Sequence, residues 1–99
     1  MTIRIRKGSG NVFQDLGFPK AEAAHLLIRA DLMIKIEQTL RARGLTQAKA
    51  AKILKVSQPR ISDLMRGRVD LFSIDSLVDM LARLGIAVTV RMKSSRRVA

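Results

Sequence analysis

The sequence has 99 residues, enough for one domain with a modest core. Hydrophobic residues make up 47% and aromatics only 3%, so that core is aliphatic, and the absence of cysteine excludes disulfides and thiolate metal sites. The net charge of +11 is concentrated in three places: Arg4, Arg6 and Lys7; residues 41–70, with eight Lys/Arg against Asp63 and Asp70; and Arg91, Lys93, Arg96 and Arg97. That balance suggests a polyanionic partner.

Residues 1–10 read as a flexible basic arm or a short strand. Ile3 and Ile5 alternate with Thr2, Arg4 and Arg6, and Gly8-Ser9-Gly10 then breaks regular structure. The opening MTIRIRKGSG has no apolar stretch of the kind a secretory signal needs. Asn11 is placed to cap a single turn through Leu16, closed by Gly17. Pro19 opens the next helix at its first position. Helical spacing then runs from Lys20 to Arg43 through Leu26, Ala30, Met33, Ile36 and Leu40, and Gly44 stops it. Asp31 is a candidate cap for a second helix, Asp31–Arg43, should the run break near Ala30.

The next stretch, LTQAKAAKILKVSQPRISDLMRG at Leu45–Gly67, organises the chain. Thr46 is placed to N-cap one short helix, since its hydroxyl can accept from an unpaired first-turn N–H. Ala48, Ala51 and Leu54 share a face. Lys55-Val56 makes the turn. Ser57 caps a second helix, whose first turn tolerates Pro59 because the missing N–H would have no partner there. Ile61, Leu64 and Met65 point inward. Gln58, Pro59, Ser62, Asp63 and Arg66 face out, with Arg60 flanking, and Gly67 ends the helix. Small Ala51 allows a close crossing that Ile61 fills, the packing logic of a helix-turn-helix over residues 46–66.

Further on, Ser73 caps a helix whose stripe is Ile74, Leu77, Val78, Leu81 and Leu84, closed by Gly85. Residues 86–92 alternate Ile86, Val88, Val90 and Met92 against Ala87, Thr89 and Arg91, which predicts a strand. Such a strand needs a partner for its backbone groups. The candidates are Thr2–Arg6 of the same chain or the same strand of a second copy. The second is favoured, because two-fold pairing puts two recognition helices on one side of a dimer. Residues 93–99 read as a disordered basic tail.

The chemistry of catalysis is missing. His25 is alone, with no cysteine and no paired carboxylates beside it. There is therefore no metal site and no acid–base set, and no serine has a base partner. An enzyme is not expected, nor is a cofactor.

The segment resembles the XRE/Cro-type helix-turn-helix of phage repressors and related bacterial regulators. The match lies in LTQ at Leu45–Gln47, Ala51, VSQ at Val56–Gln58, Ile61 and Gly67. The family often has glycine at the turn where this chain has Lys55; a left-handed backbone costs a non-glycine residue roughly 1 kcal/mol. The resemblance implies an all-α, lambda-repressor-like bundle of about five helices over residues 11–92, with the C-terminal strand pairing across a dimer. It also implies a DNA-binding transcriptional regulator, a repressor of the bacterial cytoplasm and nucleoid.

The second helix of the motif would present its N-terminal end to the major groove of a palindromic operator. Gln58 would pair with adenine N6/N7 and Arg60 with guanine O6/N7, or else Arg60 reaches a phosphate. Pro59 would touch a thymine methyl, while Ser62 and Asp63 meet base edges. Thr46, Gln47, Ser57 and Arg66 are phosphate candidates; for Asp63 and Arg66 an intrahelical ion pair is the competing outcome. Ile86, Val88, Val90 and Met92 would form the dimer contact. With NVFQDLGF at Asn11–Phe18 and IAVTVRM at Ile86–Met92, the whole is similar to HigA-like antitoxins. That likeness implies a RelE/HigB-type toxin as partner, touched by the N-terminal arm or residues 11–30, and an autoregulated operon. The alternatives are a free-standing regulator of the same family, or a module that binds protein or RNA rather than DNA.

Overall fold

The computed structural model describes residues 2–4 and 12–94. The expectations for Asn11, for Ile5 to Gly10 and for residues 95–99 of the tail lie outside them. In order, the elements are β1 (Thr2–Arg4), α1 (Val12–Asp15), α2 (Lys20–Ala42), α3 (Gln47–Leu54), α4 (Gln58–Met65), a 3-10 turn (Val69–Leu71), α5 (Ile74–Arg83) and β2 (Ala87–Thr89). The fold is the expected mostly helical bundle of five helices with a short C-terminal strand.

The buried side chains form one aliphatic cluster. Leu32, Met33, Ile36 and Leu40 of α2 meet Ala50, Ala51 and Leu54 of α3, Ile61 and Leu64 of α4, and Leu77, Met80 and Leu81 of α5. Phe72 is the aromatic member and is 2% exposed. The hydrophobic effect drives this assembly at about 25 cal/mol per Å² of apolar surface removed from water. Helix α2 packs most extensively on α5 and forms a back wall that α4 meets, while α3 lies against α4 and α5.

Helix α2 is continuous, and the break considered at Asp31 does not occur. Leu27, Leu32 and Met33 are buried and Ile28 packs on the core, so the stripe crosses Asp31 without interruption. No glycine or proline is present there to stop it. Pro19 stands one position ahead of the helix rather than on its first residue, with its carbonyl accepting from the Ala23 N–H at 2.8 Å. A one-residue difference of this kind is ordinary at helix ends. Phe13 and Phe18 meet edge-to-face, 6.1 Å between centroids, and fold α1 back along α2.

The strand has its partner within the chain. β2 pairs in parallel with β1, Ile3 opposite Val88. Parallel neighbours need a long crossover, and here the whole helical domain lies between them. Of the two partners weighed from sequence, the intrachain one is filled. The strand is also shorter than 86–92. Ile86 precedes it and is 2% exposed, held in the chain's own core, and Val88 packs on that core. Ile86 is thus taken up in the chain's own core and Val88 partly so. Val90 and Met92 lie past the strand at 64% and 89% exposed.

Candidate nucleic-acid interface

Both helices of the motif start as their sequences dictate. Thr46 Oγ1 accepts from the Lys49 N–H at 3.2 Å, and Ser57 Oγ accepts from the Arg60 N–H at 3.3 Å. Each cap satisfies a first-turn donor that the helix itself cannot pair. Between the helices the chain reverses at Lys55, whose φ of 56° and ψ of 44° are left-handed. The Lys55 N–H is bonded to the Ala51 carbonyl, as is that of Val56. The turn thus forms as glycine would form it, with the steric cost of a Cβ. Gly67, at φ 71°, ends α4 in the same region of backbone space.

One expectation for α3 is corrected. Ala48 is exposed, and Ala50, 1% exposed, takes the core position instead. Positions 50, 51 and 54 share one helical face, and with alanines at 48, 50 and 51 the three-residue spacing from 48 to 51 could not tell which of them faces inward.

With α3 and α4 seated, Gln47, Gln58, Pro59 and Ser62 line a single open hollow of about 370 Å³. Gln47 comes from the first turn of α3; the other three come from the first turns of α4. Gln47, Gln58 and Pro59 are exposed and Ser62 is half-buried. Two amides and a hydroxyl therefore face outward from adjoining helix N-termini, where unpaired N–H groups and the helix dipole favour an anion such as phosphate.

Arg60, Asp63 and Arg66 have partners within the chain. Arg60 Nη1 donates to the Leu71 carbonyl at 2.7 Å, and its guanidinium carbon stands 4.0 Å from the centroid of the Phe72 ring. The arginine is thus held by residues after α4 and is not among those lining the hollow. Arg66 Nη2 and Asp63 Oδ1 are 2.8 Å apart, an i,i+3 ion pair, so the intrahelical pairing weighed from sequence is the one observed. The hydroxyls of Thr46 and Ser57 accept their cap bonds, which leaves their O–H donors, the groups a phosphate would use.

What the residue-by-residue reading passed over is the outer side of α3. Lys49 and Lys52 are exposed there, and Lys55 follows at the turn. The signal was available, since 49 and 52 lie opposite the face that carries 50, 51 and 54. In the sequence these lysines stand out only as part of the charge of residues 41–70.

Among the described residues no group of His, Cys, Asp or Glu could hold a metal ion. In the same set, no helix is long and apolar enough to cross a membrane.

A short two-helix unit, capped at both starts, crossing over a small alanine and presenting its second N-terminus outward, is the arrangement that helix-turn-helix domains share. The family description "helix-turn-helix domain" matches residues 12–93. The chain belongs to this family. As a helix-turn-helix domain its α4 takes the place of the recognition helix, and membership supports a DNA-binding regulator. No curated protein matches the chain.

Proposed function

We propose that this helix-turn-helix protein is a sequence-specific DNA-binding repressor, with Gln58 as its principal base reader. The observation that carries the reading is the shared hollow of Gln47, Gln58, Pro59 and Ser62 at two helix N-termini. Gln58 has the donor–acceptor pair that adenine's major-groove edge requires. Pro59 and Ser62 lie beside it for a thymine methyl and a base edge. Gln47, with Lys49, Lys52 and Lys55, grips backbone phosphates. The charge of residues 41–70 supports this, with eight Lys/Arg against two aspartates.

The chain acts as a homodimer on a palindromic operator, with half-sites roughly 34 Å apart. Val90 and Met92, exposed beyond β2, supply the apolar surface for the second copy. In a bacterial cell this places it at the nucleoid. The likeness to HigA-like antitoxins supports a second role, neutralising a RelE/HigB-type toxin and repressing the shared operon. Leu16, 70% exposed, and Phe18, 38% exposed, offer that toxin a contact within residues 11–30. Pull-down of a small toxin-sized neighbour-gene product, lost on Leu16→Asp, tests that role; recovery of no such protein counts against it.

The DNA reading is tested on duplexes selected from a random library. Gln58→Ala relaxes base preference at one position, at a cost of about 1–3 kcal/mol on selected duplex alone. Gln47→Ala weakens selected and random duplexes alike. Equal losses on both duplexes for both variants refute the assignment. A salt response that is flat, rather than a log–log slope near about −0.9 per phosphate contact, favours a protein-binding module instead.

A further inference from the structure

We propose that Arg60 is a positioning residue for DNA recognition: by tying the first turn of α4 to Leu71 and Phe72 it sets the angle at which Gln58 and Ser62 meet base edges, without itself touching DNA. The inference rests on the DNA-binding reading above.

Helix α4 is eight residues long and its fully buried anchors are Ile61 and Leu64. Two anchors on one stripe fix its depth but leave it free to roll about that stripe. Arg60 lies off the stripe, in the turn that carries Gln58 and Pro59. Its side chain leaves the helix for the segment that follows it in sequence, donating from Nη1 to the Leu71 carbonyl at 2.7 Å while the guanidinium lies over the Phe72 ring at 4.0 Å. A planar cation held at once by a carbonyl in its plane and a ring on its face has little freedom left. The element it grips is also tied to α2: Arg29 donates to the Val69 carbonyl at 3.5 Å. The recognition helix is therefore braced to the back wall through the 3-10 turn. Phe72 is 2% exposed and cannot reach DNA, so its removal acts only through what it supports.

The test uses the full chain, a duplex selected by the wild-type protein, its single-base-pair variants and a random duplex. Arg60→Ala is expected to lower the selected-to-random preference about tenfold. The loss falls across all positions that Gln58 and Ser62 read, with the salt slope unchanged. Phe72→Leu is expected to reproduce the loss and to add nothing in the Arg60→Ala background, the signature of two residues acting as one.

A loss confined to one base pair makes Arg60 a base reader and overturns the proposal. So does a slope reduced by about 0.9 with equal losses on both duplexes, which makes it a phosphate contact. Additive effects of the two substitutions overturn it as well. A measurement on the unmutated chain covers the case in which a variant unfolds: ring-current-shifted Arg60 side-chain protons persist in the complex with selected duplex, and their loss on binding overturns the proposal. If the wild-type chain itself shows no duplex preference, the DNA-binding reading fails, and the proposal with it; failures confined to the variants touch Arg60 alone.

Discussion

On one side of α4 the chain reverses through Lys55 and Ser57. On the other it leaves through Gly67 and the 3-10 turn at Val69–Leu71. The first connection is built from neighbours. Ser57 bonds the N–H three residues on, and Lys55 closes on Ala51. The second is held from afar, by Arg60 eleven positions from Leu71 and Arg29 forty positions from Val69. Arg43 of the α2–α3 junction does the same at the end of α5, donating to the Leu84 carbonyl at 2.7 Å. Caps and left-handed turns act within one helical turn, so they set where a helix begins and ends. Long arginines reach across the fold, so they tie together elements far apart in the chain. On the proposal made above, the first connection makes the recognition helix and the second aims it.

The comparison breaks most completely if the core that both connections share is opened. Ile61 is 1% exposed between α4 and the rest of the cluster. Ile61→Ala should cost about 2–5 kcal/mol in a denaturant melt, through lost burial and the cavity left behind. A loss well under 1 kcal/mol would mean that α4 is not anchored there.

Removing a local cap comes next. Ser57→Ala should lower stability by about 1 kcal/mol, because the Arg60 N–H loses its acceptor at 3.3 Å. Hydrogen exchange should show the opening confined to the start of α4.

The two left-handed positions sharpen the contrast with opposite signs. Lys55→Gly should raise stability, and Gly67→Ala should lower it, each by up to about 1 kcal/mol. A Cβ at Gly67 meets nothing within 4 Å, so its cost is backbone strain alone at φ 71°. If thermal melts show the same sign for both, the backbone account of these turns is wrong.

The smallest effect belongs to the Asp63–Arg66 pair. The Arg66 side chain is 63% exposed, and solvent screens the interaction. Arg66→Ala should change stability by no more than about 1 kcal/mol. A larger loss would move this pair from the surface class into the bracing one.

Much of the motif was legible because its signals are local. Thr46, Ser57 and Ser73 each cap the helix they precede, and Gly85 closes α5 as expected. The cost of Lys55 at the turn was visible for the same reason. Where the pattern was degenerate the reading slipped, as with Ala48 and Ala50 among near-identical alanines. Where it relied on a single polar residue in a continuous apolar stripe, as at Asp31, it allowed a break that packing forbids.

By itself, then, the chain's order of residues determined the helices, their caps, the motif and the concentration of positive charge around it. These follow from interactions among residues a few positions apart, whose geometry the backbone dictates. Only the tertiary structure decided which outward residues share a hollow, that Arg60 meets Leu71 and Phe72 rather than lining it, and that β2 finds β1 beside it. A long cation can satisfy itself on any carbonyl within reach, and a strand on any free edge. Which one it meets depends on how the whole cluster of Leu, Ile and Ala packs.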